Sequence, residues 1–359
     1  MTEVNRRQAA TGAAVALLAV SLVLLPGTGH GASSESCPNL GPKARDLTGA
    51  RLEKRKPCCI HYTGSYTSTA KDVKRGASFK GELTIAQAGD TCVFKTNSIP
   101  NHDFNDGGEA FANPVQPVCE EYALPSQPKF KCKPESDGCE PTPVGLAYDN
   151  GILLNGVKMD VIAAACYGVG GEPRGQEKIG CFDMKWAWRY DPMFPDNGFG
   201  ADKHNAHAQP DGAYHYHANP HALFEEPVCK PGSCEAPAPR RQSPLIGFAA
   251  DGFPIFGPYI RDPASGRIRK VKSSYVRKPG WRQEAREQGA FPGGRYDGSF
   301  RDDYEFVKGS GDLDKCNGMT HEGVYGYYVT DTFPYLMACF WGFVDDTFKK
   351  EPLPSESPR

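Results

Sequence analysis

Net charge is nearly absent from this chain: 41 basic residues stand against 43 acidic ones over 359 positions, a formal −2 at pH 7. That balance gives no electrostatic reason to expect nucleic acid or an anionic membrane as a partner. Heptads and internal repeats are missing, and with them the signatures of coiled coils and repeat arrays. No Gly-x-Ser-x-Gly elbow occurs, so the best-known setting for a serine nucleophile is lacking. No lipobox-like pattern precedes Cys37, which argues against a lipid anchor. Histidine is scarce, with nine in the whole chain.

What is present describes a turn-rich globular protein. There are 40 glycines, 31 prolines and 39% apolar residues, enough for one large domain or two smaller ones with few long helices. Arg6 and Arg7 precede an uncharged stretch centred on residues 13–25, broken by Pro26 and Gly27, with small residues at 31–33. That order reads as a secretory signal over residues 1–32, and its Asn-Arg-Arg-Gln start weakly resembles a twin-arginine export signal. The expected location is therefore secreted or periplasmic, with no stable membrane insertion once the signal is removed. Thirteen cysteines, all after the signal, argue for disulfides in an oxidising compartment. The nearby pairs are Cys229–Cys234, Cys166–Cys181, Cys132–Cys139, Cys92–Cys119 and Cys316–Cys339. The odd count leaves at least one thiol or an intermolecular bond.

Residues 33–57 are polar and irregular and read as a solvated lead-in. Residues 79–85 and 91–96 alternate apolar and polar side chains around a turn at Gly89-Asp90 and read as strands. Asp149-Asn150-Gly151 between residues 144–148 and 152–159 is a strong hairpin signal. Residues 185–190 suit a short strand or helix, and residues 245–250 and 325–330 suit strands. The weakly patterned residues 262–312 read as a surface insertion. Residues 346–359 read as a disordered tail. Short strands and frequent turn signals together predict a mainly β, loop-rich, disulfide-bonded domain, sandwich-like or barrel-like, with few short helices.

The scarce histidines cluster. His204, His207, His215, His217 and His221 fall within eighteen positions, and histidine is the commonest metal ligand. Pro210-Asp211-Gly212 suits a three-residue hairpin loop with Gly212 in the left-handed conformation. Gln209 then pairs with Ala213, His207 faces His215, and Asn205 faces His217. A two-residue turn would put Pro210 in the ladder, where it has no N–H to give. Opposed Cβ atoms lie about 4.5–5.5 Å apart, so His207, His215 and His217 share one face and can converge on an ion. Tyr214 and Tyr216 point to the other face.

Tyr-His-Tyr-His at 214–217, after a Gln-Pro-x-Gly-x turn, resembles the signature of the YHYH domain family. Ser-Ile-Pro-Asn-His-Asp-Phe at 98–104, Gly-Ile-Leu-Leu-Asn-Gly-Val at 151–157 and residues 245–257 are similar to it as well. So are Leu-Asp-Lys-Cys-Asn-Gly at 313–318 and Phe-Pro-Tyr at 333–335. The resemblance implies a YHYH-like domain over residues 58–345 and carries no assigned activity with it.

Three chemistries fit these residues. The first is a metal site of His207, His215 and His217, joined by His102 or an aspartate, with His204 and His221 as outer candidates. Imidazoles suit zinc or copper. The His-x-His spacing resembles the cupin element, but the glutamate expected three or four residues later is absent. The second is a metal-free hydrolase with a histidine base and Asp251, Asp314 or Asn317 in support, although no nucleophile is evident. The third is a secreted module binding a carbohydrate or peptide through Tyr214, Tyr216, Trp186, Trp188, Tyr325, Tyr327 and Tyr328. The expected partner is accordingly a small molecule or a polymer.

Overall fold

A computed structural model describes residues 43–108, 110–224, 241–284 and 290–350, together with the backbone of Cys229–Lys230 and Ser233–Cys234. The signal segment, residues 33–42 and residues 351–359 lie outside the described residues, as do the side chains of Cys229 and Cys234.

Two sheets organise the chain. The first contains β1 (Arg45–Asp46), β2 (Gly64–Lys71), β3 (Ser78–Ala88), β4 (Thr91–Thr96) and β5 (Glu120–Pro125), hydrogen-bonded in that order. Alternation decides which face it buries: Leu83, Ile85, Cys92, Phe94, Tyr122 and Leu124 point inward, while Lys95 and Glu121 point out. This is the period of two expected of a half-buried strand.

The second sheet contains β6 (Gly151–Leu153), β7 (Lys158–Met159), β8 (Ala206–Ala208), β9 (Tyr214–Tyr216), β10 (Leu245–Ala249), β11 (Pro254–Phe256), β12 (Gly318–His321) and β13 (Val324–Tyr328). Its order is β12-β13-β11-β10-β6-β7-β9-β8. The central strands β6 and β10 are buried at every residue, which explains their unbroken apolar runs. The two sheets share one core. Phe94 meets Phe248 at 6.1 Å between ring centroids, and Thr96 Oγ1 donates to the Gly156 carbonyl at 2.7 Å. A smaller cluster of Ala163, Ala165, Trp188, Tyr190 and Phe300 packs separately.

The mainly β expectation holds, and among the described residues helix is confined to 3-10 turns of three or four residues. The strands around Gly89-Asp90 form as expected. The Asp149-Asn150-Gly151 hairpin does not. Asn150 N–H already donates to the Met159 carbonyl at 2.7 Å and Asn150 Oδ1 accepts from Val161 N–H at 2.8 Å. The chain reverses instead after β6, at Gly156, whose φ is +84°. Residues 185–190 form neither strand nor helix, only isolated bridges from Arg189 to Cys166 and from Tyr190 to Phe300.

The described part of the lead-in, residues 43–57, is docked and not merely solvated. Leu47 is buried, Leu52 packs on the core and its N–H donates to the Leu223 carbonyl. Residues 262–312 hold a buried ion pair, Arg282 with Asp303 at 2.7 Å. Residues 346–350 are likewise ordered: Phe348 is buried against Tyr122, and Lys350 pairs with Asp160. An apolar anchor at Phe348 outweighs the polar composition around it.

Disulfides join Cys132–Cys139, Cys166–Cys181 and Cys316–Cys339 as expected. Cys92 is a correction: it pairs with Cys59 and not with Cys119. Cys92 points inward from β4 toward the 3-10 turn Cys59–Tyr62, a long-range approach that sequence spacing does not reveal. Cys119 is itself disulfide-bonded. Among the described residues Cys58 is a free thiol.

Candidate metal centre

The hairpin that carries the site has the expected register. His207 stands opposite His215, Gln209 N–H donates to the Ala213 carbonyl at 3.0 Å, and His217 N–H donates to the Asn205 carbonyl at 2.9 Å. Gly212 closes the turn with φ +92°, its N–H on the Gln209 carbonyl at 2.9 Å. The ribbon is held in place because β9 also pairs in parallel with β7, setting His215 beside Lys158.

Three imidazoles meet on one face. His217 Nε2 lies 3.0 Å from His215 Nε2 and 3.0 Å from His207 Nε2, and the possible ligand atoms of all three lie within 4.8 Å of one another. His215 and His217 are buried and His207 is half-buried. Zn–N bonds of about 2.0–2.1 Å in a tetrahedron put neighbouring nitrogens about 3.3 Å apart, close to the spacing found.

Proton placement sharpens the point. His207 Nδ1 sits 2.8 Å from the Phe199 carbonyl, which can only accept, so that nitrogen carries the proton and Nε2 presents a lone pair. One proton on His217 Nε2 serves one of its two contacts well at most. Without that proton, the lone pairs of His207 and His217 oppose each other at 3.0 Å. A cation accepting all three lone pairs removes the conflict.

The charge state suits ligation, which needs neutral imidazole. Burial pushes all three rings below the ordinary histidine value. His215 and His217 lie well below it; burial is the main cause, with His217 and His207 adding to it at His215, His207 at His217, and nearby cations at both. The cations beside His215 are Lys158 and Lys350. Each is neutralised: Lys158 by Glu120 at 2.5 Å, Lys350 by Asp160. Gln209 Nε2 donates to the same Asp160 at 3.0 Å, tying the turn to this network.

The structure does not bring His102 to this group. It lies behind the ribbon, where Nδ1 donates to the Asp103 carbonyl at 2.7 Å and Nε2 meets the Tyr216 hydroxyl at 2.5 Å. Burial, with the charge of His204, pushes it down to about 3. His204 packs on His102 at 4.1 Å between centroids, and His221 acts electrostatically on His204. Neither belongs to the triad.

The other candidates are tied into the frame. Asp251 accepts from Tyr327 Oη at 2.7 Å, Gly342 N–H at 2.9 Å and Phe253 N–H at 3.3 Å. Asp314 accepts from Cys316 and Gly318 N–H and from Tyr325 and Trp341 side chains, at 2.9 to 3.0 Å. Asn317 Nδ2 donates to the Tyr328 carbonyl at 2.8 Å. Of the aromatics, Trp188, Tyr214, Tyr216, Tyr327 and Tyr328 are core residues. Tyr325 lines an open cavity of about 770 Å³ with Phe130, Phe306 and Met319.

Two supports were not read from the sequence. The Phe199 carbonyl that sets the His207 tautomer has no side-chain signal. Asp202 was recoverable as a turn residue: it accepts from His204 N–H at 2.9 Å, Ala206 N–H at 3.2 Å and Tyr214 Oη at 2.9 Å. Burial pushes its carboxyl up to about 6.

Fold and site together define a disulfide-bonded, mainly β domain with a largely buried triad of histidines. The chain belongs to the YHYH family, whose model, described as YHYH protein, matches residues 121–342. That stretch is more than half of the chain and contains the triad; Asn101 and His102 precede it. Comparison with curated proteins and with solved structures finds no match.

Proposed function

We propose that this YHYH protein is an exported metalloprotein that holds one transition-metal ion, zinc or copper, on His207, His215 and His217. The observation that carries the reading is the meeting of three Nε2 atoms, two pairs of them at 3.0 Å. Three protein imidazoles leave a coordination position for water or substrate, the arrangement of catalytic zinc sites. Copper fits the same ligands in an oxidising compartment. Export is supported by the basic, apolar and small-residue order of positions 1–33 and by the disulfides. Among the described residues no helix is long and apolar enough to cross a membrane.

Metal analysis of protein purified without a histidine tag tests the reading. The expected result is about one ion per chain, lost in His215→Ala and His217→Ala. Protein that holds no ion, and takes up neither zinc nor copper on reconstitution, overturns it.

A further inference from the structure

Among the described residues, Arg301 differs from the other buried or half-buried arginines, whose guanidinium groups have protein partners. Arg189 donates to the carbonyls of Ala163, Cys181 and Asp183. Arg282 donates to Asp303, Asp297, Ser299 and the Gly293 carbonyl. Arg269 forks onto Asp312 and reaches Asp262. Among the described residues the Arg301 guanidinium donates no hydrogen bond and forms no ion pair. Its place is nonetheless fixed. The guanidinium carbon lies 4.8 Å from the centroid of the Phe333 ring, and its backbone N–H donates to the Arg189 carbonyl at 2.8 Å.

Arg301 is half-buried, and none of its nitrogens is sealed from solvent. The nearest carboxylates act on it only through space, because other donors hold them. Asp191 accepts from Tyr335 Oη at 3.1 Å and Met193 N–H at 2.9 Å. Asp302 accepts from Arg189 N–H at 3.0 Å. These acids keep the guanidinium charged without using its five donors. A rigid planar fork whose donors no protein group takes matches an oxyanion. The positive charge also acts on His217 of the triad.

We propose that Arg301 is an anion-recognition residue that takes the carboxylate or phosphate group of a small molecule. The anion site stands on Arg301, its stacking on Phe333 and its idle donors. Tyr335 and Phe333 then become the walls of that site, which gives the Phe-Pro-Tyr segment a purpose beyond packing.

Calorimetric titration of the metal-free and metal-loaded protein at low salt, with inorganic phosphate and separately with succinate, tests the proposal. Saturable binding of at least one anion is expected, and the two arms tell phosphate from carboxylate preference. Arg301→Gln should weaken it about tenfold or more, since charge-assisted bonds are lost. Arg301→Lys should fall between, keeping charge but not the fork. The exposed Arg241→Gln should bind as wild type does. Binding that persists in His215→Ala supports the anion site even where the metal reading fails. Absence of saturable binding to both anions overturns the proposal. So does wild-type affinity in a folded Arg301→Gln; should Arg301→Gln not fold, wild-type affinity in Arg301→Lys overturns recognition by the guanidinium fork.

Discussion

Tyr216 joins three separated segments through one hydroxyl. Because the Asp103 carbonyl claims the His102 Nδ1 proton, His102 Nε2 must accept, and the Tyr216 hydroxyl donates to it at 2.5 Å. The same oxygen accepts from Asn155 Nδ2 at 3.1 Å, and Asn155 also reaches Asn101 Oδ1 at 3.3 Å. The tyrosines of the signature thus bind the segments at 98–104 and 151–157 to the back of the ribbon, while its histidines build the front. Tyr216→Phe leaves the shape and removes the hydroxyl, stranding enclosed polar groups at a cost of about 1–3 kcal/mol. Urea unfolding should register that loss while metal content stays at the wild-type stoichiometry. Loss of the metal as well would show that the two faces do not act independently. His102 illustrates what remained illegible: its own segment is a loop, and only the tertiary meeting with Tyr216 decides its face.

At the scale of elements, the hairpin was legible because two local rules agreed. Pro210 cannot donate within a ladder, and the alternation of β9 separates tyrosines from histidines. Those rules need no knowledge of the rest of the fold. The hairpin expected at Asp149-Asn150-Gly151 failed because tertiary demand overrode turn propensity. Gly151 starts β6 because the Phe248 carbonyl would lie 2.6 Å from a Cβ there, so close strand packing requires glycine. Gly212 makes the converse case, a glycine needed for its dihedral angle as well as its space. An alanine there would adopt φ +92° and place its Cβ 2.8 Å from Gln116 Cβ. Gly212→Ala should therefore destabilise the protein by upward of about 1 kcal/mol. It should also weaken metal retention, measured by transfer to a chelator, because the turn fixes His207 opposite His215. Unchanged transfer would mean that β7 alone holds the register.

At the scale of the whole molecule, the Cys316–Cys339 crosslink and the site lie toward opposite edges of the large sheet, which makes their contributions to stability and metal binding separable. The triad sits on β8, β9 and the residue after β9, at one edge of the eight-stranded sheet, whereas Cys316 immediately precedes the residues leading into β12 at the other edge. Sequence spacing identified this bridge because its partners are near in the chain; it missed Cys59–Cys92, whose closure depends on sheet packing. In the chain-entropy account, a crosslink stabilises by restricting the unfolded chain, more so for larger loops. Cys316–Cys339 spans 23 residues and Cys132–Cys139 spans 7, corresponding to about 3 and about 2 kcal/mol. Paired serine substitutions should therefore lower unfolding free energy in that order, read by urea denaturation under non-reducing conditions. Both variants should keep one metal ion per chain, since neither loop contains a triad residue. A larger loss from the shorter loop would indicate that native packing around Cys132, and not chain entropy, sets the contribution. Loss of metal in the Cys316–Cys339 variant would mean that strain crosses the whole sheet, from β12 through β13, β11, β10, β6 and β7 to the histidine ribbon.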